Sequence, residues 1–123
     1  MIKLNEEFIK KDEIEEAKQK FKDNPNNKFR RLVRVELKDE SDPDMSFVGY
    51  FSNAQRTQMK RLREKFPDDG GEQNCELAVM NAVYPDRHEM AEFSENYYLI
   101  MIKAGSELLK NSGLETEGNS KNL

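Results

Sequence analysis

FRRLVRVELKDESDPDMSFVGYFSNAQRTQMKRLREKF, residues Phe29 to Phe66, switches its apolar period once, from two residues to about 3.6. From Arg31 the chain alternates, with Val33, Val35 and Leu37 on one side and Leu32, Arg34, Glu36 and Lys38 on the other, the pattern of a half-buried strand. A return strand fits Met45 to Phe51, where Met45, Phe47, Gly49 and Phe51 share a face. The segment Asp39 to Asp44 between the two strands is all turn formers and charge. Ser52-Asn53-Ala54-Gln55 then has the spacing of a capping box, and the stripe Gln55, Met59, Leu62, Phe66 predicts an amphipathic helix behind it. A β-hairpin running straight into a helix is the expected centre of the domain.

The totals set the scale. A chain of 123 residues fits one domain with its own core, although 36% of residues are charged, only 36% are hydrophobic and none is Trp. Mean hydropathy is −0.95, so the core must be small and the surface heavily solvated. The formal charge of −4 argues against nucleic acid as the main partner, because phosphate binding needs a concentrated positive field. One cysteine cannot close an internal disulfide, which suits a reducing compartment. No signal-like apolar stretch and no membrane-length apolar run occurs, so the expectation is a cytoplasmic protein with no membrane partner.

Outward from the hairpin, residues 1–27 read as a charged N-terminal helix, 28–110 as the α+β core and 111–123 as a disordered tail. In the first of these, Asp12 offers a cap, Ile14, Ala17 and Phe21 recur at helical spacing, and Asn24-Pro25-Asn26-Asn27 ends the run. So narrow a stripe is expected to pack by one edge on the domain. Pro67 to Gly71 is a break, and a second helix is expected from Glu72 to Tyr84, apolar over a wide arc and the most buried of the set. A last helix is expected from about Glu95 to Lys110, capped at Ser94. Its run Tyr97-Tyr98-Leu99-Ile100-Met101-Ile102 goes round the whole circumference, so either the helix is central to the core or one side faces a partner, and self-association or a client groove is the expectation.

Motifs of catalysis are missing. There is no phosphate loop, no GxSxG, no HExxH and no EF-hand spacing, and Asp68-Asp69 and Glu15-Glu16 stand in charged runs, not in the contrasting environments a catalytic carboxylate pair needs. Cys75 lacks a CxxC partner, and the sole histidine, His88, sits in a separate charged segment. No enzyme activity, cofactor or metal is expected.

The order of elements, with "FRRLVRVELKDE", "MSFVGYFSNAQRTQMKRL", "NCELAVMNAVYPD" and "LIMIKAGSELLKNSG", resembles the small tail assembly chaperones of long-tailed bacteriophages and prophages. The likeness covers roughly Phe29 to Gly113. It rests on layout, on the polar segment Phe51 to Arg56 between the second strand and the helix, and on the pair Asn74-Cys75 near the start of the next helix. It implies a non-enzymatic protein that coats a long helical client, the tape measure protein, during tail assembly, and that can associate with itself. On that reading Met90, Phe93, Tyr97, Tyr98 and Met101 are the expected partner-binding residues, since methionines and aromatics adapt to many similar helices. The rival is a small phage-borne regulatory or nucleic-acid-binding module using the basic helix 56–65.

Overall fold

A computed structural model of the chain describes residues 2–3, 10–40 and 42–113. The elements in order are β1 (Ile2–Lys3), α1 (Lys11–Asp23), a 3-10 turn (Pro25–Asn27), β2 (Leu32–Asp39), β3 (Asp42–Ser52), α2 (Arg56–Lys65), α3 (Gly70–Met80), β4 (Ala82–Tyr84), α4 (Arg87–Asn96) and α5 (Tyr98–Asn111). The class is α+β, as the hairpin and the helical runs after it imply.

The second strand of the hairpin, β3, is the middle of a four-stranded sheet, and β2 lies at its edge. β2 and β3 pair antiparallel with Val35 opposite Gly49 and Leu37 opposite Phe47, which puts Val33, Val35, Phe47 and Phe51 together on the core side. On the other edge of β3, β1 adds in parallel at Met45 and Ser46, and β4 adds antiparallel at Tyr50 and Phe51. β3 is therefore an interior strand, and the half-buried reading holds for β2 alone. Ser46 and Val48, on the face opposite Phe47, are buried as well. On that face the Lys18 ammonium of α1 lies 5.2 Å from the Tyr50 ring centre.

Several boundaries differ from expectation. The connection between β2 and β3 is shorter than Asp39 to Asp44, because Asp39 already pairs with Asp42. The register shifts after Lys38, leaving Pro43 in a part of β3 with no β2 partner, where a residue without an N–H costs little. Ser52 does not cap a helix. It ends β3, buried, and α2 begins at Arg56 behind Gln55, whose N–H donates to Gln58 Oε1 at 2.9 Å. At the N-terminus, Ile2 and Lys3 are strand rather than helix, and α1 starts after Lys10 with no side-chain cap, so Asp12 lies inside its first turn. Acids at Asp12 and Glu13 and bases at Lys20 and Lys22 suit the helix dipole. α1 buries no residue fully and meets the domain by one edge, through Tyr84 of β4.

The helix expected over 72–84 is a helix and a strand. Asp69 caps α3 by accepting from the Glu72 N–H at 3.0 Å, so Gly70 and Gly71 form its first turn. Asn81 stops it, and Ala82 to Tyr84 pair with β3. Nor is the expected last helix single. Asp86 caps α4 by accepting from Glu89 N–H at 3.0 Å, the helix runs through Ser94 to Asn96, and α5 begins afresh at Tyr98. Ser94 points its hydroxyl back to the Ala91 carbonyl instead of capping. Among the described residues four helices thus follow the hairpin, not three, and α5 rather than α3 is the most buried, with Ile100, Met101, Ala104, Gly105 and Leu108 inside. Residues 114–123 of the expected tail lie outside the described residues. Ser112 does not belong to a tail, since its Oγ accepts from the Ala54 N–H at 2.9 Å.

Candidate functional site

The five residues expected to bind a partner converge on the junction between α4 and α5. Met90 and Phe93 come from the inner face of α4, one turn apart. Tyr97 is the joint, its N–H still bonded to the Phe93 carbonyl at 3.0 Å while its own backbone leaves helical geometry. Tyr98 and Met101 open α5. From the sheet outward the rings of Phe51, Phe47, Phe93 and Tyr97 form a chain with centroid separations of 6.4, 5.0 and 4.7 Å. Such offset aromatic contacts fix ring orientation as well as burying area. The junction is therefore packed on the hairpin through these rings.

Burial divides the five. Met90 and Met101 are fully enclosed and Phe93 nearly so, which makes them core side chains with no surface to offer a partner in this state. Tyr97 is half-buried at the outer end of the aromatic chain. Tyr98 is 39% exposed, and its hydroxyl donates to Glu72 Oε2 at 2.8 Å, a bond that pushes the phenol up to about 12 and keeps it protonated. Beside it stands a side chain not among the five: Leu99, 69% exposed. In the structure Ile100, Met101, Ala104, Gly105 and Leu108 form the inward face of α5, which turns Leu99 outward. Phe29, 91% exposed, is another large apolar side chain in the open. It precedes β2 near the far end of α5, where the Arg31 guanidinium donates to the Asn111 carbonyl, roughly 20 Å of helix away from Leu99.

Among the described residues Cys75 and His88 stand apart. Cys75 is buried, and desolvation, with the Glu72 and Glu76 charges, pushes its thiol up to about 11, so it is not a thiolate at neutral pH. His88 is exposed on α4 with its Nε2 3.4 Å from Glu92, not bonded to Cys75. Between α1 and β4 lies an open cavity of about 670 Å³ walled by Glu13, Glu16, Asp86 and Glu89, with Lys10 and Lys20 among them. Tyr84 spans it, donating to Glu13 at 2.9 Å and accepting from the Lys10 N–H at 3.1 Å. Burial, then the charges of Asp86 and Glu13, raises Glu89. Among the described residues no group of three His, Cys, Asp or Glu side chains is placed to hold a metal ion, and no helix is long and apolar enough to cross a membrane. The basic residues of α2, Arg56, Lys60, Arg61, Arg63 and Lys65, are all exposed.

Comparison with protein-family models, with curated proteins and with solved structures returns no match for this chain.

Proposed function

We propose that this protein is a non-enzymatic assembly chaperone of the phage tail type, holding a long helical client such as a tape measure protein through Leu99, Tyr98 and Tyr97 at the start of α5. The observation that carries the reading is Leu99. A leucine left mostly in water on a helix whose neighbouring turns are core, and flanked by a tyrosine held in place by Glu72, is a ready anchor for the apolar stripe of another helix. The patch is small. A single contact of this size is weak, which suits a chaperone that coats a repetitive client in many copies and must later release it.

The test is coexpression of the full chain with a long helical tape measure protein, followed by sizing with light scattering. Leu99→Glu and Tyr98→Glu should leave the far-UV circular dichroism spectrum unchanged, since both side chains are exposed, and each should weaken client capture by at least about tenfold. Capture that is indifferent to both substitutions would remove the α5 surface from the proposal.

A second reading has its own support. Among the described residues Arg56, Lys60, Arg61 and Arg63 have no acidic partner, so α2 keeps a local positive field on an acidic chain. A regulatory module using that helix on nucleic acid would bind with affinity falling steeply as salt rises, and titration against duplex DNA separates it from the chaperone.

A further inference from the structure

We infer that the open edge of β2 pairs with the β2 edge of a second copy of this chain, antiparallel about a two-fold axis at Val35. Among the described residues β2 has a strand partner on one side only, β3. Its far edge is a row of backbone donors and acceptors of the kind that templates another strand. α5 lies against β2 at both its ends, through Arg31 to the Asn111 carbonyl and Lys103 to Glu40. Val33 and Val35 are buried on the core side, while Arg34, Glu36 and Lys38 stand in solvent on the other.

The choice of a second copy comes from the order of charges. Folding Leu32-Val33-Arg34-Val35-Glu36-Leu37-Lys38 about its centre sets Arg34 opposite Glu36, Val33 opposite Leu37 and Leu32 opposite Lys38, each twice, with Val35 meeting itself. In the single chain Arg34 and Glu36 already lie 3.0 Å apart along the strand. Across the axis the two pairs form a ladder of alternating sign. Neighbouring registers lack this property. A shift of two residues one way opposes Arg34 to itself, and the other way opposes Glu36 to itself and Arg34 to Lys38. A slip by one residue brings the valines against the charged face. The same charges that guard the edge against unrelated strands thus select one register with a copy of itself.

Sedimentation velocity of the full chain over a concentration series should show a reversible dimer. Arg34→Glu and Glu36→Arg each place like charges opposite one another twice per dimer and should weaken it by at least about tenfold. The double swap R34E/E36R rebuilds the alternating ladder and should restore the dimer. Both side chains are exposed, so the circular dichroism of all three variants should match the wild type. A wild-type chain that stays monomeric, a dimer unaffected by the single reversals, or a double swap no better than the singles each overturns the pairing.

Discussion

Gly105→Ala is expected to lower the unfolding free energy by about 2–3 kcal/mol, more than most single-methyl insertions. A Cβ built on Gly105 would lie 2.0 Å from the Asn74 carbonyl oxygen, 2.6 Å from its carbon and 2.8 Å from its Cα. All three are backbone atoms of α3, so no side chain can rotate away and the two helices must separate. That contact joins the most buried helix to the one beside it, and any separation opens space around Met101, Ala104 and Leu108 as well. Alanine would otherwise favour the helix by about 1 kcal/mol over glycine, so a net loss means the clash has overcome a propensity working in the opposite direction. Urea unfolding followed by circular dichroism measures it. Gly70→Ala is the control: it too is helical, yet nothing stands within 4 Å of the added Cβ. Equal stability of Gly105→Ala and wild type would mean that α3 and α5 do not cross so closely.

Asn81→Leu should cost about 3–4 kcal/mol although leucine has the same number of side-chain heavy atoms, branched at the same carbon. Asn81 is 2% exposed and ties together four parts of the chain. Its Nδ2 donates to the Leu77 carbonyl and to Gln58 Oε1, both at 3.0 Å. Its Oδ1 accepts from Gln58 Nε2 at 3.0 Å, from Arg30 Nη2 at 3.0 Å and from the Ser52 hydroxyl at 2.9 Å. Arg30 also donates to the Asn53 carbonyl at 2.6 Å, and burial lowers the pKa of its guanidinium. Leucine would leave Gln58 and Ser52 desolvated with partners missing and would remove one acceptor from a partly buried cation. The penalty is that of unsatisfied groups, not of a lost contact. A double-mutant cycle with Arg30→Met should show strong coupling, because once Arg30 is gone less remains to be orphaned. Additive losses would instead make Asn81 a local helix stop with no part in a network.

What the sequence determined by itself was what local period carries; the caps expected at Asp12, Ser52 and Ser94 are not the ones the helices use. The β2 alternation, the apolar stripe of α2, the end of α1 at Asn24 and the apolar character of residues 97–102 all follow from which side chains one strand or one helix sets on a common face. Even the corrected caps at Asp69 and Asp86 have a legible spacing, an aspartate three residues ahead of Glu72 and Glu89. Tertiary structure decided the rest. Ala82-Val83-Tyr84 continues the apolar pattern of α3 and becomes a strand only because β3 has an open edge at Tyr50 and Phe51 to receive it. Ser52 has the spacing of a helix cap, but a buried Asn81 brought from elsewhere in the chain claims its hydroxyl. Likewise, six apolar residues in a row cannot say which of them stays dry. The close approach of α3 at Gly105 sets the rotation of α5, sends Met101 to the core and leaves Leu99 in water. Phase about a helix axis is a property of what the helix packs against, and no single segment contains it.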